Sequence, residues 1–206
     1  MHSILEIIDE STDSAGPDLV SLDDLKLALG IEGSADDAAL QAAITFQSRL
    51  IAEYCDRRFG RAECLETFTF DRNEVLPTRQ ALTLSLYPVV EVIEISTLGA
   101  TAADYEFDPP TGRIWMPDGV WENKITVAYS GGYDLPEGAP ARLAKAVIEA
   151  VFEVRSSGGR DPSIRDISHG DTRISYFTSA TATANSGFLS APVIDLIRPF
   201  RRLGVA

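Results

Sequence analysis

ITFQSRLIAEYCDRRFGRAECLETFTF, residues 44–70, changes its repeat part-way along. Ile44, Ile51, Tyr54 and Cys55, with Leu40 just upstream, fall on one face of a helix because their spacing follows 3.6 residues per turn. From Cys64 to Phe70 the repeat drops to two, the pattern of a strand. Gly60 stands between the two and is expected to stop the helix. Working back, Ser34 with Asp37 three residues on resembles a capping box, so the helix is predicted to run from there to about Arg58. Its acidic start and its Arg57-Arg58 end suit the helix macrodipole. A shorter helix precedes it: Ser21 with Asp24 opens it, Leu22, Leu25 and Leu29 mark its inner face, and Gly30 ends it. Residues 1–20 are acidic, contain Gly16 and Pro17, and are expected to be a weakly ordered extension with Ile4, Leu5, Ile7 and Ile8 as an anchoring patch.

Downstream the period of two persists to Ser130. Cys64–Phe70, Leu82–Leu86, Val89–Thr97, Gly112–Met116 and Lys124–Tyr129 are predicted strands of a small antiparallel β domain. Asp108-Pro109-Pro110-Thr111-Gly112 and Pro117-Asp118-Gly119 supply turns between them. Gly131-Gly132 is expected to end the last strand. A third helix is predicted from about Ala141 to Arg155, with Leu143, Val147, Ile148, Val151 and Phe152 inward, and Gly158-Gly159 stops it. Residues 160–170 read as a loop around Pro162, and Thr172–Thr178 as a strand or the arm of a hairpin. The fold class expected is therefore α+β: a helical pair and a third long helix packed with a small antiparallel β domain, then a linker and a short helix. The divisions are 1–20, 21–60, 61–132, 133–177 and 178–206.

The linker, Thr178–Gly187, is small and polar. Beyond it Leu189, Val193, Leu196, Ile197 and Phe200 fall at helical spacing, starting near Ser190 and ending around Pro199, and Arg201 and Arg202 close the run. Two turns of helix are not stable alone in water. The segment needs a surface, on its own body or on another molecule, and these seven residues are the candidate partner-binding set.

Composition narrows the classes of function. The chain has 206 residues, 45% of them hydrophobic, enough for a real core. Its net charge of −13 disfavours non-specific attraction to nucleic acid phosphates. The charge is uneven: residues 1–40 carry ten acids against Lys26 alone, and residues 155–206 carry seven arginines against four aspartates. Such polarity suits one copy's basic tail meeting another copy's acidic face, or simply a solvated surface. Cys55 and Cys64 make no disulfide framework and fit a reducing compartment as small buried residues, with a single bridge between them as the alternative. No stretch reaches the length of a membrane span, and Met1–Ser11 lacks the basic start and apolar core of a signal peptide, so a soluble cytosolic product without membrane contact is expected.

Catalytic chemistry has little to stand on. The two histidines, His2 and His169, allow no zinc site of His and Cys type at plausible spacing. A serine triad would have to use His169, without any Gly-x-Ser-x-Gly beside it. Ser130-Gly131-Gly132 and Ser157-Gly158-Gly159 match neither a phosphate loop nor a dinucleotide fingerprint. The acid clusters Asp71, Glu74 and Asp104, Glu106, Asp108 could form a carboxylate pair or an oxygen-ligand cation site, and read better as exposed turns. Trp115 and Trp121 read as the cap of the β core or as an aromatic binding surface. No catalytic residue, metal site or cofactor is assigned.

Taken in order, several segments resemble the head-tail connector (adaptor, or head-completion) proteins of long-tailed phages and related gene transfer particles. Leu22-Asp23-Asp24-Leu25-Lys26-Leu27-Ala28-Leu29-Gly30-Ile31 followed by Asp36-Asp37-Ala38-Ala39-Leu40 looks like that family's first two helices, and Tyr54-Cys55-Asp56-Arg57-Arg58-Phe59 like the end of the second. Leu86-Tyr87-Pro88-Val89-Val90-Glu91-Val92 resembles its proline-marked strand, and Ile125–Tyr133 its last core strand and turn. Phe152-Glu153-Val154-Arg155 is similar to the close of its third long helix, with Val154 where a polar residue is usual, and Phe188–Arg202 to its ending. The resemblance covers about residues 21–202. It implies a non-enzymatic ring, normally of twelve copies, beneath the portal of a filled capsid, joined to a stopper or tail-completion protein, with DNA passing through the channel without specific binding. It implies a location in the virion neck after synthesis in the bacterial host cytoplasm, and it makes Leu189, Val193, Leu196, Ile197, Phe200, Arg201 and Arg202 the contacts to portal or neighbouring subunit. The rival readings are another neck or tail-completion ring protein, a carboxylate-dependent hydrolase or sugar-binding domain, and a plain interaction module.

Overall fold

A computed structural model of the chain describes residues 2–10, 18–70, 80–97, 105–117, 119–157, 166–169, 172–175 and 189–202. It is a mixed α+β protein that divides into two compact units, one formed by 1–17 and 57–135, the other by 18–56 and 136–206.

The first unit is built of strands. Among the described residues, a four-stranded antiparallel sheet has the order β1 (His2–Glu10), β2 (Ala62–Thr69), β7 (Lys124–Gly131), β4 (Val89–Thr97). A three-stranded one has the order β3 (Ala81–Thr83), β6 (Arg113–Trp115), β5 (Glu106–Asp108). Period two does the sorting: Ala62, Cys64, Glu66 and Phe68 of β2 and Ile125, Val127, Tyr129 and Gly131 of β7 all point inward. They meet Leu82, Leu84, Leu86, Ile114 and Trp121 in one apolar core. Trp121 is therefore core, as one of its two readings held. The turn expected at 108–112 is present: the Gly112 amide donates to the Asp108 carbonyl, Thr111 Oγ1 donates to the Asp108 carboxylate, and Gly112 sits at φ +67°.

Four expectations for this unit change. Residues 2–10 are a strand, paired along β2 from His2 opposite Thr69 to Glu10 opposite Ala62. Their Leu5 and Ile7 lean on the core while Ile4 and Ile8 face out, and that two-faced apolar pattern concealed the period of two among acids. Glu106–Asp108 is a short strand as well, and the predicted strand Leu82–Leu86 shortens to Ala81–Thr83 because Ser85 and Leu86 turn to Glu66 and Tyr129 instead. Gly131 belongs to β7 rather than ending it. A Cβ there would lie 2.3 Å from the Leu86 carbonyl oxygen, and one at Gly132, already at φ +96°, 2.5 Å from that of Gly60. These glycines allow backbones to touch.

The second unit is helical: α1 (Leu22–Leu29), α2 (Asp37–Cys55), α3 (Ala141–Ser157) and α4 (Ala191–Ile197), followed by a 3₁₀ turn at Arg198–Phe200. α1 has the caps read from sequence, since Ser21 Oγ accepts from the Asp24 amide at 3.1 Å and Gly30 is left-handed at φ +64°. α2 starts at Asp37, without a side-chain cap from Asp36, and ends at Cys55, five residues before Gly60. Asp56 takes the left-handed cap at φ +50°, which a short polar side chain tolerates. Arg57 and Arg58 thus lie outside the last turn. In α3 the buried stripe is Leu143, Ala146, Val147, Ala150 and Val151. Ile148 is half-buried and Phe152 is exposed, because the inner face runs through the two alanines and turns away from both. Residues 166–169, expected as loop, form β8 (Asp166–His169), which pairs with β9 (Thr172–Ser175) as a hairpin. The linker 178–187, Phe188, the loop at Pro162, and Asp71, Glu74 and Asp104 lie outside the described residues. Cys55 and Cys64 are both buried, one in each unit, and are not joined in a disulfide.

Candidate functional site

The tail helix is the element whose role is not explained by its length. Ala191 and Pro192 occupy its first turn, where a missing amide hydrogen costs nothing, and the Ile194 amide reaches the Ser190 carbonyl at 3.0 Å. The Ser190 hydroxyl, instead of capping α4, donates to Glu153 of α3 at 2.8 Å. Leu189, Val193 and Ile197 are four apart and form one stripe, all buried within the helical unit, with α4 against α3. Leu196 and Phe200 are half-buried, and Arg201 and Arg202 are exposed. The seven sequence-selected residues therefore separate into an inward stripe of three and an outward group of four.

The chain beyond α4 is fastened to the end of α2. The last carbonyls of a helix have no partner inside it. Here the Cys55 carbonyl accepts from the Arg202 amide at 2.8 Å, and the Cys55 thiol lies 3.8 Å from the Ile197 carbonyl. The Arg201 guanidinium stands 5.5 Å from the centre of the Tyr54 ring. Positive charge thus reaches the negative end of α2 from far along the chain, in place of the Arg57 and Arg58 expected there. No sequence signal marks Cys55 or Glu153 as tail contacts, since one acts through its backbone and the other is an ordinary acid on a helix.

In the β unit the polar groups that sequence reading passed over are buried and paired. Glu66 is fully enclosed, and its carboxylate accepts from the Ser85 amide at 2.9 Å, the Ser85 hydroxyl at 2.6 Å and the Tyr129 hydroxyl at 2.9 Å. The Tyr129 hydroxyl accepts in turn from the Leu86 amide at 3.1 Å. Burial first, and the Glu66 charge second, push the Tyr129 phenol well above its usual value. Tyr133 is also raised by burial, against the opposing pull of Arg57. Arg57 itself is buried, stacks 3.7 Å from the centre of the Tyr87 ring and 5.0 Å from that of Phe59, and donates to the Tyr87 carbonyl. Both carboxylate oxygens of Glu66 are occupied, and the two sets of contacts hold consecutive residues, Ser85 and Leu86 in one and Tyr87 in the other, so together they brace this segment.

Of the acid clusters, Glu106 and Asp108 lie on β5, and Asp108 serves its own turn. Among the described residues no group of three or more His, Cys, Asp or Glu side chains is placed to hold a metal ion. No helix among them is long and apolar enough to cross a membrane.

Compared with known proteins, the chain matches no protein-family model and no curated protein. Solved structures do match its fold from end to end. A chain from the neck of an empty GTA particle, computed with C6 symmetry, is 16% identical with a TM-score of 0.55, and the match covers 98% of this chain and 97% of that one. A chain from the virion of a native gene transfer agent (GTA) particle is likewise 16% identical, with a TM-score of 0.55 and the same coverage. At that identity the likeness is one of fold.

Proposed function

We propose that this protein is a structural component of a particle neck: a head-tail connector that forms a ring beneath the capsid portal, joins head to tail and surrounds the channel that retains and releases DNA. The observation that carries the reading is the end-to-end fold likeness to a chain from the neck of a gene transfer agent particle. A ring of identical subunits needs two different complementary faces on each copy. The acidic opening of this chain and its arginine-rich final third offer a pair of them. A net charge of −13 per copy also suits a channel wall from which DNA must slide freely. The reading is non-enzymatic, needs no cofactor, and places the protein in the neck after synthesis in a bacterial cytoplasm, with portal and stopper or tail-completion proteins as partners.

In this reading α4 is a docking element with two sides. Leu189, Val193 and Ile197 set it on its own helical unit, and Leu196, Phe200, Arg201 and Arg202 face the portal or the neighbouring subunit, in the helix-in-groove manner. The decisive experiment measures mass by light scattering, and symmetry by particle imaging, with and without the candidate portal. A ring, or a monomer that becomes a ring on the portal, is expected. A stable monomer that never engages a portal overturns the proposal. Leu196→Asp is expected to block incorporation into necks while moving the melting temperature little, because a charge left unpaired in an interface is costly there and tolerable at a half-exposed position. Parallel loss of fold and incorporation would reduce α4 to a purely internal brace.

A further inference from the structure

The four-stranded sheet ends in two unlike edges. β4 is guarded: its register slips at Val89/Glu91 and again at Val92/Glu94. Bulges of this kind hinder another strand from adding. Among the described residues β1 has no partner strand on its outer edge. It runs nine residues with a single irregularity near its end, between Ile7 and Asp9, and leaves Ile4 and Ile8 each 61% exposed. Its core-facing Leu5 and Ile7 are only partly covered, as expected of a strand that lacks a neighbour.

A second feature lacks a neighbour too. β8 and β9 are four residues each and, among the described residues, pair only with one another. A two-stranded hairpin alone is marginal in water, and a third strand is what ordinarily stabilises it. The charges select the match. β1 carries Glu6, Asp9 and Glu10 and no lysine or arginine, so pairing two β1 strands would set acid against acid. β9 carries Arg173 and no acid. With Arg173 opposite Glu6, the period of two puts Ile174 opposite Leu5 or Ile7 on the core side of the sheet.

From this we infer that the β8–β9 hairpin of one copy adds through β9 to the free edge of β1 in the next copy. The inference rests on the ring reading and deepens it. Donor and acceptor are different surfaces, so the contact is head-to-tail and repeats around a ring, with backbone hydrogen bonds for affinity and the Glu6–Arg173 pairing for register. The test mixes full-length Glu6→Cys and Arg173→Cys proteins under mild oxidation, Glu6 being exposed and both native cysteines buried. A covalent dimer in the mixture, several-fold above either variant alone, is expected. Yields no higher than the single-variant controls, or a dominant Glu6→Cys self-dimer, overturn the inference. Mass measurement on the same samples judges ring formation separately: a ring without the mixed cross-link removes this contact and leaves the ring. Glu6→Arg with Arg173→Glu gives a second reading, since either change alone weakens association and the pair restores it.

Discussion

At the centre of the β unit a carboxylate is wholly enclosed and held by three donors, whereas at the end of the helical unit the last residues are fastened from outside, by one amide and one guanidinium on the final turn of α2. The first arrangement tolerates no vacancy, because an unmatched polar group in low dielectric has no water to turn to. The second is made by exposed arginines, so water is at hand to take the place of the Arg201 contact. The difference teaches which part is frame and which is fitting: the β unit is committed to one geometry around an enclosed polar network, and the tail is fitted onto the helical unit by a buried apolar stripe and a few outer ties.

Three substitutions sharpen that contrast. Gly131→Val has the largest expected effect, about 3 kcal/mol of destabilisation, since its side chain would meet the Leu86 carbonyl where β7 has no room. Chemical denaturation followed by the fluorescence of Trp115 and Trp121 measures it, and a loss under about 1 kcal/mol would mean that the 86–88 segment moves aside more readily than a frame should. Glu66→Gln comes next. It keeps the shape but replaces one acceptor by a donor facing other donors, at a cost of about 2 kcal/mol. An unchanged denaturation midpoint would show the network to be ornamental. Arg201→Ala is expected to cost only about 0.5 kcal/mol, the scale of an exposed cation–π contact. Amide exchange at Arg202 should quicken while exchange in β7 stays as it was. Equal quickening in both would break the distinction between frame and fitting.

Much of this was legible in the chain itself. Ser21, Asp24 and Gly30 are local signals, each deciding its own backbone, so the caps of α1 stand where they were read. The bounds of β4 and the turn at Gly112 are local in the same sense. What escaped was whatever depends on a distant partner. β1 exists because β2 lies beside it, and its own alternation of Leu5 and Ile7 with Ile4 and Ile8 shows no polar face to betray it. Phe152 is exposed because alanines, silent in an apolar count, occupy the contact stripe of α3. Asp56 ended α2 before Gly60 could, since an aspartate tolerates a left-handed cap but does not announce it. For the tail, spacing marked five apolar residues, of which Leu189, Val193 and Ile197 are buried; the ties to the carbonyl of Cys55 and the side chain of Glu153 were not legible, since backbone acceptors leave no trace in a sequence.

The hydrogen bond from the Arg202 amide to the Cys55 carbonyl joins the two segments of the helical unit, with the whole of residues 57–135 lying between them in sequence. Protein synthesis proceeds from one end, and domains generally close as soon as their parts have emerged. All strands of the β unit are complete by residue 135, while the helical unit waits for residues 189–202 to seat its last stripe. Synthesis therefore releases the described strands of the β unit before the residues that complete the buried stripe of the helical unit.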